Sequence, residues 1–473
     1  MTTPHDALIV GAGPNGLAAG IALAQAGRNV LILEAAETIG GGCRTAELTL
    51  PGFRHDPCSA VHPLAAASPF FRKLPLAAHG LEWVDPPLAA AHPFDDGSAA
   101  VLSRSMEETT ASLGVDGPAW ERLMAPFLRD FDILIDQLLG PFHLPRHPIA
   151  LARFGLPALR SAKGLSDARF QGTRASALFA GMAAHSMLRL EQWGTAAFGL
   201  MLSLFGHAVG WPVARGGSQH IVDALAAHFR SLGGEIRTGQ PVRSFAGFGE
   251  STKILFDVTP RQLLQIAGDQ LPGRYRRQLE HYRYGPGVFK MDWALDGPVP
   301  WTAPDCHRAG TLHLGGTLAE IAASERDVHA GRHAERPFVL VAQPSLFDPT
   351  RAPEGKHTLW AYCHVPNGSD RDMTAQIESQ IERFAPGFRD LVIARSVVGS
   401  AAMQEYNENY IGGDINGGLQ DLRQLFTRPA IRLDPYSTPN KRLFICSSST
   451  PPGGGVHGMS GYHAAQSVLR RDR

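Results

Sequence analysis

The sequence predicts an α/β protein: a discontinuous Rossmann-type domain built on a parallel sheet, joined to an α+β domain with a mixed sheet and helices. Three observations carry this. The N-terminal stretch reads as strand, glycine turn, helix and strand. An α/β pattern resumes after Trp211. The C-terminal stretch again supplies a strand, a Pro/Gly loop and a helix.

The first element is the short apolar run Ala7–Val10, a buried strand. Gly11, Gly13 and Gly16 follow in the spacing G-x-G-x-x-G, with Pro14 and Asn15 between the last two. Gly11 permits the tight turn, Gly13 lets backbone approach a pyrophosphate, and Gly16 lets helix and sheet pack closely. Leu17–Ala26 is rich in Ala and Leu and predicts a helix closed by Gly27. Its N-terminus offers unpaired N–H groups to phosphate. Asn29–Leu33 is a second strand ending at Glu34, with Ala35 behind it. A carboxylate at that strand end accepts hydrogen bonds from a ribose and disfavours a 2′-phosphate. Thr38–Arg44 then carries three glycines in a row, Gly40, Gly41 and Gly42. Such a run passes close to a ligand, with Arg44 available for a phosphate or carbonyl, or else it is a plain turn.

Leu50–Pro63 is turn-rich and polar, with His55, Asp56, Cys58, Ser59 and His62; it lines a site or forms a solvated loop. Helices are expected over Pro118–Leu139, Arg174–Leu190 and the apolar Thr195–Trp211. That last stretch is too short to span a bilayer. Pro148–Lys163 mixes apolar and basic residues, as a solvated amphipathic helix or a membrane-surface contact does. Beyond Trp211, Gly216–Gly217 predict a turn, Ser218 a cap for a helix over Ile221–Leu232, and Glu235–Thr238, Pro241–Phe245 and Ile254–Asp257 short strands. Gly287–Leu295, His313–Leu314, Phe338–Ala342 and Thr358–His364 predict further strands, Ala375–Phe384 a helix, Leu443–Cys446 a buried strand and Gly461–Leu469 an amphipathic helix.

The 473 residues suggest two domains. Lys+Arg and Asp+Glu both number 44, so bulk charge supports no nucleic-acid partner. The five cysteines are scattered with no C-x-x-C, so neither a disulfide framework nor a metal site is expected. The N-terminus lacks the basic region of a signal peptide, and the expected location is cytoplasmic, with peripheral membrane contact as an option. No G-x-S-x-G, H-E-x-x-H or G-K-[ST] supports a hydrolase, zincin or P-loop reading.

GAGPNGL…LEAAETIGGGCRT at one end and LFICSSSTPPGGGVHGMSGYHAA at the other resemble the two ends of the FAD domain in the phytoene desaturase-like flavoproteins. That group includes carotenoid desaturases and isomerases, retinol saturases and a pyridine nucleotide-disulphide oxidoreductase-domain branch, which the chain resembles most. The resemblance implies a glutathione reductase-like FAD domain from 1–75, 212–270 and 430–473. It assigns 76–211 and 271–429 to the substrate domain, with an apolar helical part near 118–211. It also implies that Gly11, Gly13 and Gly16 hold the FAD pyrophosphate and Glu34 the ribose. Gly41, Gly42 and Arg44 would follow the pyrophosphate towards the flavin, Val242 would offer backbone to adenine, and Gly454, Gly455 and Val456 would approach the isoalloxazine.

Flavin chemistry on carbon needs a dry, apolar chamber. Trp193, Trp211, Trp293, Phe198 and Phe205 are candidates to line it or are core. Polar candidates for catalysis are Lys290, either solvent-facing or desolvated near the flavin, His457 in PPGGGVHG, and Tyr410 and Asp414 in ENYIGGDINGG. The implied activity is desaturation, saturation or redox-neutral isomerisation of a polyene, isoprenoid or acyl chain. The alternatives are a flavin amine oxidase and a flavin-binding protein without robust catalysis.

Overall fold

The computed structural model describes residues 5–141, 144–246, 248–249 and 252–472. In chain order the strands are β1 (Ala7–Val10), β2 (Val30–Leu33), β3 (Trp83–Val84), β4 (Leu88–Pro93), β5 (Ala99–Leu102), β6 (Val213–Ala214) and β7 (Glu235–Arg237). β8 (Lys253–Phe256), β9 (Gly287–Leu295), β10 (Ala309–Leu314), β11 (Val339–Ala342), β12 (His357–Val365), β13 (Val392–Val398) and β14 (Leu443–Ile445) follow.

Two sheets hold twelve of these strands, and β3 and β6 pair with each other as a short antiparallel ribbon. One has the order β14-β8-β1-β2-β7 with every pair parallel, so β1 lies at its centre. β1 is buried along its whole length, which is why it reads as an unbroken apolar run rather than an alternating one. The helix Pro14–Gln25 packs against the helices Gln219–Ser231 and Met459–Arg471. Gly461 makes this contact possible, because a Cβ there would overlap the carbonyl oxygen of Asn15.

The second sheet has the order β13-β9-β12-β11-β10-β4-β5 and is mixed: β10 and β4 are parallel, the other pairs antiparallel. Its two faces go to different places. Phe289, Met291, Trp293 and Leu295 of β9 join Leu359, Ala361 and Cys363 of β12 in a core beneath the helix Thr374–Phe384. The alternate residues Val288, Lys290, Asp292, Trp360 and Tyr362 face the other way, towards the dinucleotide-type sheet.

Several sequence expectations need correction. The stretch 118–139 forms two helices, Gly117–Arg129 and Phe131–Leu138, broken at Asp130. Pro148–Lys163 likewise divides into Pro148–Ala158 and the start of Ala162–Arg169. Pro241–Phe245 forms no strand; β7, with Glu235 and Arg237 exposed, is the sheet edge. Ser218 does not cap its helix. Its hydroxyl donates to the Ser59 carbonyl instead. Among the described residues, no helix is long and apolar enough to cross a membrane. Ile149 and Leu156 are nevertheless exposed on the helix Pro148–Ala158.

Candidate active site

A single cavity of about 620 Å³ runs from the glycine turn after β1 to the inner face of the mixed sheet. At one end it is lined by Gly11, Gly13, Pro14, Asn15, Glu34, Ala35, Gly41, Gly42, Arg44 and Val242. The sequence motifs placed these residues together, and the chain brings them together. Gly16 lies one step behind the wall: its N–H donates to Asp257, and a Cβ there would overlap the Gly11 carbonyl. Gly11 has φ +105°, and a Cβ on Gly13 would come 2.9 Å from Asp257 Oδ2. The helix Pro14–Gln25 opens on Gly13 with no side-chain cap and no acidic residue in its first turn. Asn15 Oδ1 is buried with no partner. An open cradle and a positive helix end fit a dinucleotide phosphate.

Glu34 is held ready at the end of β2. It accepts the N–H of Ala12 at 2.8 Å and of Ala36 at 3.0 Å, with Arg44 at 3.4 Å. Arg44 also donates to the Thr38 carbonyl at 2.8 Å and lies 5.5 Å from the Tyr406 ring. Asp257, at the end of β8, escaped the sequence reading. Its only signal there was an acid closing a predicted strand. Burial pushes its carboxyl up to about 7; the Gly16 N–H pulls part-way back and Glu34 raises it again.

The other end of the cavity is a chamber walled by Leu64, Leu202, Trp211, Thr311, Leu340, Trp360 and Tyr362, with His62, His185, Gly455 and Val456. Trp211 is thus in the wall as the sequence suggested. Trp193 is 69% exposed, Phe205 is core, and Trp293 points to the opposite face of its sheet, where its indole donates to Glu378. Phe198 is half-buried and does not line the cavity.

Leu50–Pro63 is no solvated loop. His55, Asp56, Cys58 and His62 are buried in it. Burial pushes the Asp56 carboxyl up, but the Arg351 guanidinium, the Thr45 hydroxyl at 2.6 Å and the Ser218 N–H at 2.9 Å more than offset this and hold it below the usual carboxylate range. Lys290 is desolvated rather than solvent-facing and is ion-paired with Asp292. Burial lowers the Lys290 amine and raises the Asp292 carboxyl, the latter to about 6. His55 Nδ1 sits 3.6 Å from Asp292, and burial, reinforced by Lys290 and Arg351, drives its pKa to about 3. This buried polar layer lies behind the wall: Lys290 does not itself line the cavity.

Tyr410 does line it. Its hydroxyl donates to Cys58 Sγ and fills the space left by Gly42, at the junction of cradle and chamber. His457 and Asp414 are corrections. His457 Nδ1 accepts the Met459 N–H at 3.0 Å and Nε2 donates to the Gly453 carbonyl at 3.2 Å, so both ring nitrogens are spent holding the turn into the last helix. Asp414 accepts the N–H groups of Gly285, Asn416 and Gly418 and is likewise consumed in fixing a turn. Gly454 packs on Asn416 and stays out of the cavity, whereas Gly455 and Val456 enter it. All five cysteines are free and buried, and burial pushes the Cys43 thiol to about 12, which removes it from thiolate chemistry. Among the described residues no cluster could hold a metal ion.

Residues 9–74 match the model of the NAD(P)-binding Rossmann-like domain. The chain is 26% identical to pyridine nucleotide-disulfide oxidoreductase domain-containing protein 2 of Rattus norvegicus, over 98% of this chain and 93% of that protein. It is 27% identical to phytoene dehydrogenase of Streptomyces griseus, over 76% of this chain and 73% of that protein. Cyclohexylamine oxidase from Brevibacterium oxydans shares the fold with a TM-score of 0.61 at 17% identity, each chain being covered in full (100%).

Proposed function

We propose that this chain, a homologue of pyridine nucleotide-disulfide oxidoreductase domain-containing protein 2 and a distant relative of the phytoene desaturases, is an FAD-dependent oxidoreductase acting on a carbon–carbon bond of a hydrophobic substrate. The observation that carries the reading is the single cavity joining a glycine cradle to an apolar, aromatic chamber. FAD, when bound, supplies hydride transfer at its N5 position. The chain supplies the rest. Gly11, Gly13 and the helix N-terminus hold the pyrophosphate, Glu34 the ribose, and backbone at Val242 the adenine. Gly41, Gly42 and Arg44 follow the pyrophosphate, and Gly455 and Val456 meet the flavin edge. Trp211, Trp360, Tyr362 and Leu340 exclude water and orient the substrate. Tyr410, which lines the cavity and donates to Cys58, is the favoured polar group for the chemistry, while Lys290 stays paired with Asp292 behind the wall. An amine oxidase reading draws on the fold shared with cyclohexylamine oxidase and on the edge-to-face Trp360–Tyr362 pair, with ring centroids 5.1 Å apart.

Purified protein is expected to be yellow, to release FAD on denaturation, and to bleach anaerobically near ~450 nm with a polyene, isoprenoid or acyl substrate. The Gly13→Val variant should lose FAD, since its side chain meets Asp257 and fills the cradle. Colourless protein that refuses added FAD would sink the cofactor. Bleaching by amines alone would transfer the chain to the amine oxidases.

A further inference from the structure

The chamber is not uniformly apolar. His185, at the end of the helix Thr173–Ala184 and half-buried, and the buried His313 of β10 form an imidazole pair with Nε2 2.9 Å from Nε2. Trp211 stands edge-on to His185, with centroids 5.6 Å apart, and 5.8 Å from His313. Burial drives the His185 pKa to about 3 and that of His313 well below its usual value, so both rings are neutral.

A neutral pair shares one N–H between the two Nε2 atoms. Only one assignment leaves no stranded donor. His313 Nδ1 is buried without a partner and faces the bare Cα of Gly181, where a Cβ would lie 2.6 Å away. A proton on that nitrogen would be a buried donor with no acceptor, at a cost of about 1–3 kcal/mol. His313 therefore carries its proton on Nε2 and donates it to His185. The remaining proton of His185 is then on Nδ1. His185 lines the cavity, and its Nδ1 is neither sealed off nor bonded to any described residue.

Two more unpartnered groups lie on the same wall. Thr311 Oγ1 and Trp360 Nε1 are buried without partners, and both residues line the cavity. The register sets them in one row across the inner face, Thr311 beside Ala342 and Ala342 beside Trp360. Thr311 is two residues from His313 on the same strand face. The chamber thus presents one open N–H donor, His185 Nδ1, with the polar groups of Thr311 and Trp360 sealed in the wall behind it and Tyr362 beside them, none of them charged.

From this we infer that the chamber takes an uncharged hydrophobic molecule bearing a carbonyl oxygen, which accepts from His185 Nδ1–H with Thr311 and Trp360 beside it. The inference rests on the chamber being the substrate site proposed above. A pure hydrocarbon would displace water from His185 Nδ1–H and leave that donor unmet, at a free-energy cost. An ammonium would find no carboxylate, because the acids in the cavity wall, Glu34, Asp257, Glu405 and Glu408, are on segments that line the cradle end. A carboxylate would find no free cation among the described residues of the site, since Arg44 is paired with Glu34 and Arg243 with Glu408 in the wall, and Lys290 with Asp292 and Arg351 with Asp56 behind it. Sites built to hydrogen-bond a substrate group discriminate strongly against analogues lacking it.

The test uses the FAD-loaded protein and a matched series: 2-undecanone, its isostere 2-methyl-1-undecene, 2-aminoundecane and undecanoate. Binding is read by quenching of tryptophan fluorescence, independently of turnover, while FAD content is read by absorbance. The ketone is expected to bind about tenfold or more tightly than the alkene, the worth of one well-made hydrogen bond. His185→Phe should erase that preference while alkene affinity and FAD content stay constant; Thr311→Val should reduce it. If His185→Phe fails to fold, the wild-type series and Thr311→Val still decide. Equal affinities, a preferred amine or acid, no saturable binding of the ketone, or a preference surviving both substitutions would overturn the inference. Loss of FAD from the wild-type protein would instead overturn the reading beneath it.

Discussion

Asp257→Asn is the substitution that most directly probes the cradle. The wild-type carboxyl is buried beneath the glycine turn, accepts the Gly16 N–H at 2.9 Å, and has its pKa raised to about 7. A group whose folded pKa is raised contributes stability in full below its unfolded pKa, about 4, and loses it as pH rises through the folded value. The window is therefore roughly pH 4 to 7. A shift of about three units is worth up to about 4 kcal/mol. An asparagine oxygen still accepts the Gly16 N–H and has no charge to desolvate. The variant should match wild type near pH 4 and exceed it by up to about 4 kcal/mol at pH 8. For a chain of this size that is roughly 4 °C in Tm. A dianionic pyrophosphate would oppose the ionised carboxylate further. Wild-type FAD affinity should then fall by up to about tenfold per pH unit above 7, while the variant stays flat. Thermal melts and FAD titrations from pH 4 to 9 measure both. Parallel Tm–pH curves for the two proteins, or identical affinity slopes, would refute the reasoning.

Two other outcomes follow from the geometry. Asp56→Asn strands the buried Arg351 guanidinium and should cost about 3–5 kcal/mol in denaturant unfolding, whereas Arg153→Ala, which removes a half-exposed pair with Asp130, should cost under about 1 kcal/mol; similar losses for the two would contradict the buried layer behind the wall. His457→Ala removes a donor and an acceptor from the turn into the last helix and should cost about 1–2 kcal/mol in stability. Turnover at saturating FAD should stay within about threefold of wild type, and a loss of a hundredfold or more would restore His457 to the chemistry.

The cradle was legible because its parts are local. Gly11, Gly13, Gly16 and Glu34 fall within one βαβ unit, where each residue type answers a backbone or hydrogen-bonding need. The chamber was not. His185 and His313 are 128 residues apart in sequence, and nothing near either announces the pair. The adjacent strands β4 and β5 were missed because LAAAHP and AAVL are alanine-rich; their extended form is set by pairing with β10 and with each other, not by propensity. β13 was missed as well, an edge strand with a shift of register against β9. Lys290 was found by its position in an apolar strand, but its partner Asp292 and its seat behind the wall depend on packing between the two sheets. Ser218 was read from a local capping rule that His62 and Ser59 override, since its side chain is drawn towards them.

The parallel sheet has a consequence for synthesis. β1 sits at its centre, but β8 and β14, which complete it on one side, are made far later in the chain. At about 5–20 residues per second, roughly 20 to 90 s separate β1 from β14 on the ribosome. During that interval the apolar sides of β1 and of the helix Pro14–Gln25 lack their final cover, because the helix Met459–Arg471, which packs on Pro14–Gln25, is made after β14. The βαβ unit that holds the cradle therefore waits uncovered on one side, and a chain truncated before Leu443 would keep Gly11, Gly13, Gly41 and Gly42 yet lack the layer that packs over their helix.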